Sequence, residues 1–158
     1  MHRISGNGCA PLAGVVVDLW QCDAEGRYSD VRDTQGRFDT RGQQFLRGFQ
    51  TTTAEGVARF RTIYPGWYAG RTPHLHFKIR LIDGARTTHE FTSQLYFEEA
   101  TSDDVYAQAP YAARGARSTT NARDGIFRGG GTGAQLMLPL SAAGDGYTGS
   151  FEIGLLMT

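Results

Sequence analysis

Short segments with alternating apolar residues, separated by glycine-containing turns, restrict the fold of this 158-residue chain more than any other feature. In GVVVDLWQC, residues 14–22, the side chains of Val15, Val17 and Leu19 share one face, because residues two apart point the same way in a strand. Further strands are predicted at 57–63, 74–82, 87–97, 134–140 and 147–156. Turn signals such as DGAR and SAAGDG lie between them. The pattern is typical of a sandwich or a barrel, and we predict an all-β fold, an antiparallel β-sandwich.

The rest of the chain is predicted to consist of loops with at most one short helix. The helix is expected at 101–108, TSDDVYAQ, with Thr101 or Ser102 as its N-cap. Two long polar segments, 29–49 and 109–133, contain glycine and lack the periodicity of a strand. Loops of this length in a compact domain are more often functional than not, so we expect both to be active-site loops.

The composition argues against two classes of partner. Basic and acidic residues both number 16, so the formal net charge is zero, and nucleic acid is not expected as a partner. No segment approaches the ~20 apolar residues that span a bilayer, so no membrane partner is expected either. The first residues, MHRISGNGC, lack the apolar stretch of a signal peptide. The length suits one domain, which we predict to cover residues 1–158.

The two cysteines, Cys9 and Cys22, allow two interpretations. They are either two buried thiols or a disulfide that ties the chain before the first long strand to the end of that strand. A disulfide would indicate an oxidising compartment. The sequence does not fix the distance between the two Cα atoms, so both interpretations stay open.

The predicted strand at 74–82 begins with two histidines separated by one residue. His74 and His76, in PHLHF, point to the same face of such a strand and form either a metal site or an unusual polar pair. Tyr28 in GRYS and Tyr68 in PGWY add two phenols. An ionised phenol is a hard, anionic donor that suits a trivalent cation better than Zn²⁺ or Cu⁺. Because free tyrosine has a pKa of about 10, it ionises only where a bound charge favours the anion, and Fe³⁺ supplies such a charge.

These residues also allow two other interpretations. In a non-catalytic β-sandwich binding module of the carboxypeptidase-regulatory or adhesion type, the stretch DAEGRY (23–28) is only a hairpin turn whose tyrosine packs on the core. Such a module binds protein or carbohydrate and needs no metal. A cupin-like Fe²⁺ oxygenase also uses paired histidines, but it normally needs a third histidine or a carboxylate to complete a facial set.

The three motifs GRYS, PGWY and RTPHLH together resemble the intradiol ring-cleavage dioxygenases, the catechol and protocatechuate 3,4-dioxygenase superfamily. The resemblance runs from about Cys9 to the end of the chain. The segments TIYPGWYAGRTPHLHFKI and TSQLYFEE are similar to those of small, single-domain, mostly secreted members of the family. We therefore expect a secreted or extracytoplasmic location, with a cytoplasmic location as the alternative. Members of the family usually carry more chain before the first strand, so the oligomeric state is left open.

The resemblance implies a ferric ion held by four side chains. Tyr28 and His74 would be the equatorial ligands, and Tyr68 and His76 the axial ones. Tyr68 would also leave the ion during the reaction and take a substrate proton. The implied cofactor is therefore Fe(III), and the implied partners are a small catechol and O₂.

The resemblance also implies the reaction and two further catalytic residues. The aromatic ring of a catechol would be cleaved by O₂ between its two hydroxyl-bearing carbons to give a cis,cis-muconate. Arg71 stands three residues before the first histidine of the H-x-H pair, and Gln94 lies in TSQLYF; both would face the substrate ring and stabilise charge that develops on it. The substrate itself stays open among catechol, alkylated or chlorinated catechols, protocatechuate, hydroxyquinol and lignin-derived phenols.

Overall fold

The structure is a computed structural model that describes residues 1–5, 8–35, 37–129 and 133–156. The strands of this part of the chain are β1 (His2–Ser5), β2 (Gly8–Pro11), β3 (Val16–Trp20), β4 (Arg47–Thr51), β5 (His74–Asp83), β6 (Arg86–Tyr96), β7 (Leu140–Ala143), β8 (Gly146–Gly149) and β9 (Gly154–Leu156). The helices are α1 (Glu99–Tyr106) and α2 (Gly125–Gly129), with single 3₁₀ turns at Tyr111–Arg114, Asn121–Arg123 and Gly133–Leu136. The mostly-β content confirms the predicted fold class, and α1 is the one helix of more than two turns that these residues form.

The strands form a four-stranded sheet, a three-stranded sheet and a hairpin. The larger sheet has the order β4-β3-β5-β6, and every neighbouring pair in it is antiparallel. The smaller sheet has the order β2-β1-β9, in which β1 and β9 are parallel, and β7 pairs with β8. In the larger sheet Trp20 lies opposite His76, and His76 lies opposite Gln94. This register places three side chains in one row across three strands.

The larger sheet has an apolar face and a polar face. Val17 on β3 and Phe77 and Ile79 on β5 are buried in the core. The face that they form is covered by half-buried side chains from other parts of the chain, among them Leu140, Phe151, Ile153 and Leu155. The opposite face carries Trp20 and His76, because side chains alternate along each strand. The two-layer arrangement is the predicted β-sandwich. The opposite face of the larger sheet, which carries the histidines, is not part of this core and can form a functional site.

Three of the predicted strands were wrong in whole or in part. Residues 57–63 form no strand, because they pair with no neighbouring strand in the described part of the chain; a cavity of about 1400 Å³, lined in part by Phe60 and Phe151, lies along this segment. The segment predicted at 134–140 contains a 3₁₀ turn and joins β7 only at its last residue. The segment predicted at 147–156 is divided into β8 and β9.

The predicted short helix exists, but its cap was predicted wrongly. Helix α1 begins at Glu99, with Glu98 as the N-cap and without a side-chain capping bond. Ser102 lies inside the helix, where its hydroxyl donates to the carbonyl of Glu98 at 3.2 Å and shares a 2.8 Å hydrogen bond with Tyr64. Among the described residues no helix is long and apolar enough to cross a membrane.

The two cysteines are not bonded to each other. Cys9 is exposed on β2, so neither the disulfide nor the interpretation as two buried thiols holds for it. Cys22 is buried just after β3, and its thiol donates to the carbonyl of Gly66 at 3.1 Å. Burial raises the pKa of this thiol to about 12. The argument for an oxidising compartment that rested on a disulfide therefore fails.

Candidate metal centre

Two tight turns bring Tyr28 and Tyr68 together. In the first, the Asp23 carbonyl accepts hydrogen bonds from the amides of Gly26 and Gly66, both at 3.0 Å, so the second turn is attached directly to the first. Gly26 has a φ of +77°, and a Cβ there would collide with the backbone carbonyl of Trp67. A Cβ on Gly66 would likewise meet the backbone of the first turn. Both glycines are thus required for backbones to approach closely enough to bring the two phenols into contact.

Strand β5 supplies the two imidazoles, and the four predicted ligand side chains converge. Nε2 of His74 lies 3.2 Å from Oη of Tyr28, 3.2 Å from Oη of Tyr68 and 3.1 Å from Nε2 of His76. Nε2 of His76 is in turn 3.1 Å from Oη of Tyr28. The passive-module interpretation placed the tyrosine of the DAEGRY turn on the core, whereas its hydroxyl contacts both histidines. The structure therefore brings together all four residues that the motifs singled out.

A backbone contact determines the tautomer of His74. Its Nδ1 lies 2.7 Å from the carbonyl of Thr72, which can only accept, so Nδ1 carries the proton and Nε2 presents a lone pair. That single lone pair faces two hydroxyls and one imidazole nitrogen at 3.1–3.2 Å. One lone pair cannot satisfy three polar neighbours, whereas a shared cation can. Histidines that bind metals commonly donate their other nitrogen to a carbonyl in this way.

The pKa values keep the imidazoles neutral and the phenols protonated in the absence of a cation. Burial lowers the pKa of His74 to about 4, and burial together with the charges of His74 and Arg71 lowers that of His76 to about 3. Burial raises the pKa of Tyr28, and repulsion between its phenolate and that of Tyr68 raises it further. Burial also raises the pKa of Tyr68. Only a bound positive charge would favour both phenolates here.

Trp20 orients His76, and the sequence did not reveal this. The two rings stack with centroids 4.9 Å apart and planes 3° from parallel. The contact follows from the register of β3 against β5, in which the two residues are direct partners. A strand pattern predicts faces but not register, so no signal in the sequence pointed to this tryptophan.

Arg71 and Gln94 lie next to the four-residue cluster and contact each other. A terminal nitrogen of the Arg71 guanidinium donates to the side-chain carbonyl of Gln94, which also accepts from the hydroxyl of Tyr96 at 3.0 Å. Gln94 is the direct cross-strand partner of His76. The two residues predicted to face a substrate ring thus form one hydrogen-bonded unit beside the histidines.

Asp124 is the second residue that the sequence analysis missed. Its carboxylate is fully buried and accepts from Nε of Arg71 at 2.9 Å and from the amide of Thr72 at 2.8 Å. Its other oxygen accepts from the amides of Ile126 and Phe127 at 2.7 and 3.1 Å. Burial would raise the pKa of Asp124, but these backbone hydrogen bonds and the guanidinium hold it below its usual value. The residue lies in the polar segment 109–133, which was predicted to be an active-site loop.

A cavity of about 230 Å³ opens beside His76 and Gln94. Its lining also includes Tyr96 and Thr92 from β6, Ile126 from α2 and Leu136. The cavity therefore lies over the edge strand of the larger sheet, between that strand and the segment that contains Asp124.

The geometry of the cluster fits a hard cation. Bonds of about 2.0–2.2 Å from a metal to nitrogen and oxygen ligands place neighbouring ligands at right angles about 3 Å apart, which matches the observed 3.1–3.2 Å. Two phenols, which are hard donors once ionised, and two neutral imidazoles form a donor set that suits a hard cation. In the described part of the chain, no group of three or more His, Cys, Asp or Glu side chains could hold a metal. A facial set of two histidines and a carboxylate is therefore not formed by these residues.

Comparisons with known proteins agree with the motifs. A family model described as Dioxygenase matches residues 2–123. The protocatechuate 3,4-dioxygenase beta chain of Burkholderia cepacia is 32% identical over 123 residues, which cover 71% of this chain and 50% of that protein. A chlorocatechol 1,2-dioxygenase of a Pseudomonas species is 31% identical over 107 residues, which cover 56% of this chain and 39% of that protein. The chain thus spans half or less of the length of these two curated relatives.

A solved structure shows the same architecture. An intradiol ring-cleavage dioxygenase from Tetranychus urticae superimposes with a TM-score of 0.79 at 30% identity, covering 98% of this chain and 76% of that one. The resemblance predicted from GRYS, PGWY and RTPHLH is therefore confirmed at the level of the family. Its motifs, its fold and its relatives all place this chain in the intradiol ring-cleavage dioxygenase family.

Proposed function

We propose that this chain is a non-haem Fe(III) intradiol dioxygenase that cleaves a catechol with O₂ between its two hydroxyl-bearing carbons to give a cis,cis-muconate. The observation that carries the proposal is the convergence of four side chains, in which Nε2 of His74 lies 3.1–3.2 Å from Oη of Tyr28, Oη of Tyr68 and Nε2 of His76. The family to which the chain belongs supports the type of reaction.

The four converging side chains would hold the ferric ion. When bound, this ion would supply Lewis acidity and a positive charge for the reaction of a catechol with O₂. Tyr28 contacts both imidazoles and is the better fixed of the two phenols. Tyr68 contacts only His74 among them, so it is the less constrained phenol and the one suited to leave the ion and accept a substrate proton.

Arg71 and Gln94 would act on the substrate ring. The guanidinium carries a fixed positive charge, and Asp124 and Gln94 hold it in one orientation at the edge of the cluster. A preorganised cation of this kind stabilises negative charge that develops on the ring as its carbon atoms react, without reorganisation during the step.

The proposal is tested with the full chain loaded with a ferric salt. We expect a broad visible absorption band from phenolate bound to iron, about one iron per chain, O₂ uptake with catechol, and cis,cis-muconate as the product by mass and ultraviolet spectrum. Tyr28→Phe should weaken the band and the affinity for iron. Tyr147→Phe, on the exposed strand β8, is the matched control and should change neither. If the chain stays colourless and takes up no iron after loading, the proposed dioxygenase function is wrong, and the non-catalytic binding module becomes the better interpretation.

A further inference from the structure

The cavity beside the proposed iron site is lined by neutral side chains. Around His76 and Gln94 these are the hydroxyls of Thr92, Ser93 and Tyr96 and the aliphatic groups of Ile126 and Leu136. Neither a lysine nor an arginine is among the described residues that line it.

Two cations close to the lining residues in the sheet are already engaged. Arg71 is not part of the cavity lining, and Asp124 and Gln94 hold its guanidinium in one orientation, so it is not free to turn towards a carboxylate in the cavity. Lys78 follows His76 on the same face of β5, but its ammonium is 2.9 Å from the carboxylate of Glu90. A carboxylate bound in the cavity would therefore find no free cation in the lining, and a buried charge without a partner is costly.

Arg128 lies on α2 two residues from Ile126, but it is not among the residues that line the cavity. Arg47 is a further candidate, and it lies on the other side of the cluster. Across the sheet, Arg47 lies opposite Trp20, Trp20 lies opposite His76, and His76 lies opposite Gln94. Three strand spacings therefore separate Arg47 from Gln94, which lines the cavity. At about 4.8 Å per strand, its backbone is about 14 Å from that of Gln94. The stacked rings of Trp20 and His76 stand between them.

Two of the residues that line the cavity, Ile126 and Leu136, are aliphatic. Ile126 remains 56% exposed although it is a large aliphatic residue, and it lies on the cavity side of α2. The ring of Phe127 next to it packs edge-on against Tyr96 at 5.0 Å, which fixes the helix against β6. An exposed apolar side chain at the mouth of a preformed cavity provides contact for an apolar substituent.

We propose that the substrates of this chain are catechols whose ring carries hydrogen or a small neutral substituent, such as alkyl or halogen, rather than a carboxylate. This inference rests on the proposed function and narrows its substrate class. It does not follow the order of sequence identity, in which the protocatechuate enzyme is 32% identical and the chlorocatechol enzyme 31% identical. It rests instead on the charge and apolarity of the cavity itself.

The first test compares two substrates of nearly equal size, 4-methylcatechol and 3,4-dihydroxybenzoate, with the iron-loaded full chain. The kcat/KM for 4-methylcatechol should exceed that for 3,4-dihydroxybenzoate by at least about tenfold, because rejecting an unpaired carboxylate is worth at least as much as one misfitted methylene. The change in the visible band can also be used to monitor the binding of each compound in the absence of O₂. The affinity for 4-methylcatechol should again exceed the affinity for 3,4-dihydroxybenzoate.

The second test adds a cation to the cavity wall. Ile126→Lys should raise the ratio of 3,4-dihydroxybenzoate to 4-methylcatechol turnover by at least about tenfold, and salt should reduce the gain. Ile126→Gln has a similar length without the charge and should leave the ratio within about threefold of wild type.

The outcomes separate this inference from the proposed function. If the iron-loaded wild type oxidises no catechol at all, the proposed function fails. If it oxidises both but prefers 3,4-dihydroxybenzoate, the function stands and the inference is overturned. Loss of that preference in Arg47→Gln would then identify Arg47 as the carboxylate partner. If Ile126→Lys leaves the ratio of 3,4-dihydroxybenzoate to 4-methylcatechol turnover unchanged, the role assigned to Ile126 in the cavity lining is also overturned.

Discussion

The carboxylate of Asp124 lies 2.9 Å from Nε of Arg71 and 2.8 Å from the amide of Thr72, and it is fully buried. One side chain therefore holds the guanidinium proposed to face the substrate and the backbone that precedes His74. The carbonyl of the same Thr72 fixes the tautomer of His74. Arg71 and the first histidine are thus positioned by a single anchor in the loop that follows α1.

Asp124→Asn is expected to damage catalysis more than iron binding. The amide keeps one acceptor oxygen but removes the charge that pairs with Arg71, and breaking a buried pair of this kind costs about 3 kcal/mol of stability. We expect the visible band of the iron-loaded chain to persist while kcat falls by about 10²-fold. The measurements are urea unfolding of the metal-free protein and steady-state O₂ uptake. A loss of iron binding with normal kcat per bound iron would contradict the positioning role.

The stability of the metal-free protein should fall in two stages as the pH is lowered. His74 and His76 have pKa values lowered to about 4 and 3 by burial, so the unfolded chain binds protons that the folded chain does not, and stability declines from about pH 6.5 downwards. Asp124 has a lowered pKa, so its contribution is present above about pH 4 and is lost below that. Asp124→Asn should make only the second stage shallower, as measured by urea unfolding at a series of pH values. An unchanged slope below pH 4 in the variant would contradict this assignment.

Arg71→Lys should lower turnover without removing iron. Lysine keeps the charge but loses the planar fork that contacts both Asp124 and Gln94. We expect kcat to fall by about 10²–10³-fold with an unaltered visible band. Arg80→Lys is the matched control, because Arg80 makes a similar fork to Asp18 at 2.7 and 2.9 Å farther along β5. Equal effects of the two substitutions would show that Arg71 has no special role.

Replacing Trp20 tests whether a stacked ring supports the metal centre. Trp20→Leu removes the ring that lies 3° from parallel to His76, whereas Trp20→Phe retains an aromatic face. We expect the affinity for ferric ion to fall by about tenfold in the leucine variant and much less in the phenylalanine variant. Iron release to a chelator, followed by loss of the visible band, measures this. Identical release from both variants would rule out the stack as a support.

The candidate site was predictable to the extent that it consists of local motifs. The H-x-H pair can be recognised in the sequence because residues two apart share a face of a strand. The two tyrosines can be recognised because they occur in short turns that contain glycine. The roles of Arg71 and Gln94 came from resemblance alone, and their contact with each other agrees with it. Their catalytic roles and the identity of the metal stay predictions.

The missed residues act through long-range contacts. Asp124 is 53 residues from Arg71, and an aspartate before a glycine in a polar loop gives no sign of a distant partner. Trp20 depends on strand register, which the sequence does not specify. The strand predicted at 57–63 failed for a related reason, since alternation indicates a possible strand but not a neighbour with which to pair.

Gly26 and Gly42 form a matched pair that separates backbone strain from steric contact. Their φ angles are +77° and +76°, but a Cβ on Gly26 would collide with the Trp67 carbonyl, whereas one on Gly42 meets nothing within 4 Å. Gly42→Ala should therefore cost only the left-handed strain of about 1–2 kcal/mol. Gly26→Ala should cost a further 1–3 kcal/mol or so from overpacking. Because this turn carries Tyr28, the visible band of iron-loaded Gly26→Ala should also weaken, while that of Gly42→Ala should not. Urea unfolding and absorption spectra of the two variants measure both effects, and equal costs with equal spectra would show that the close approach of the two turns does not position the phenol.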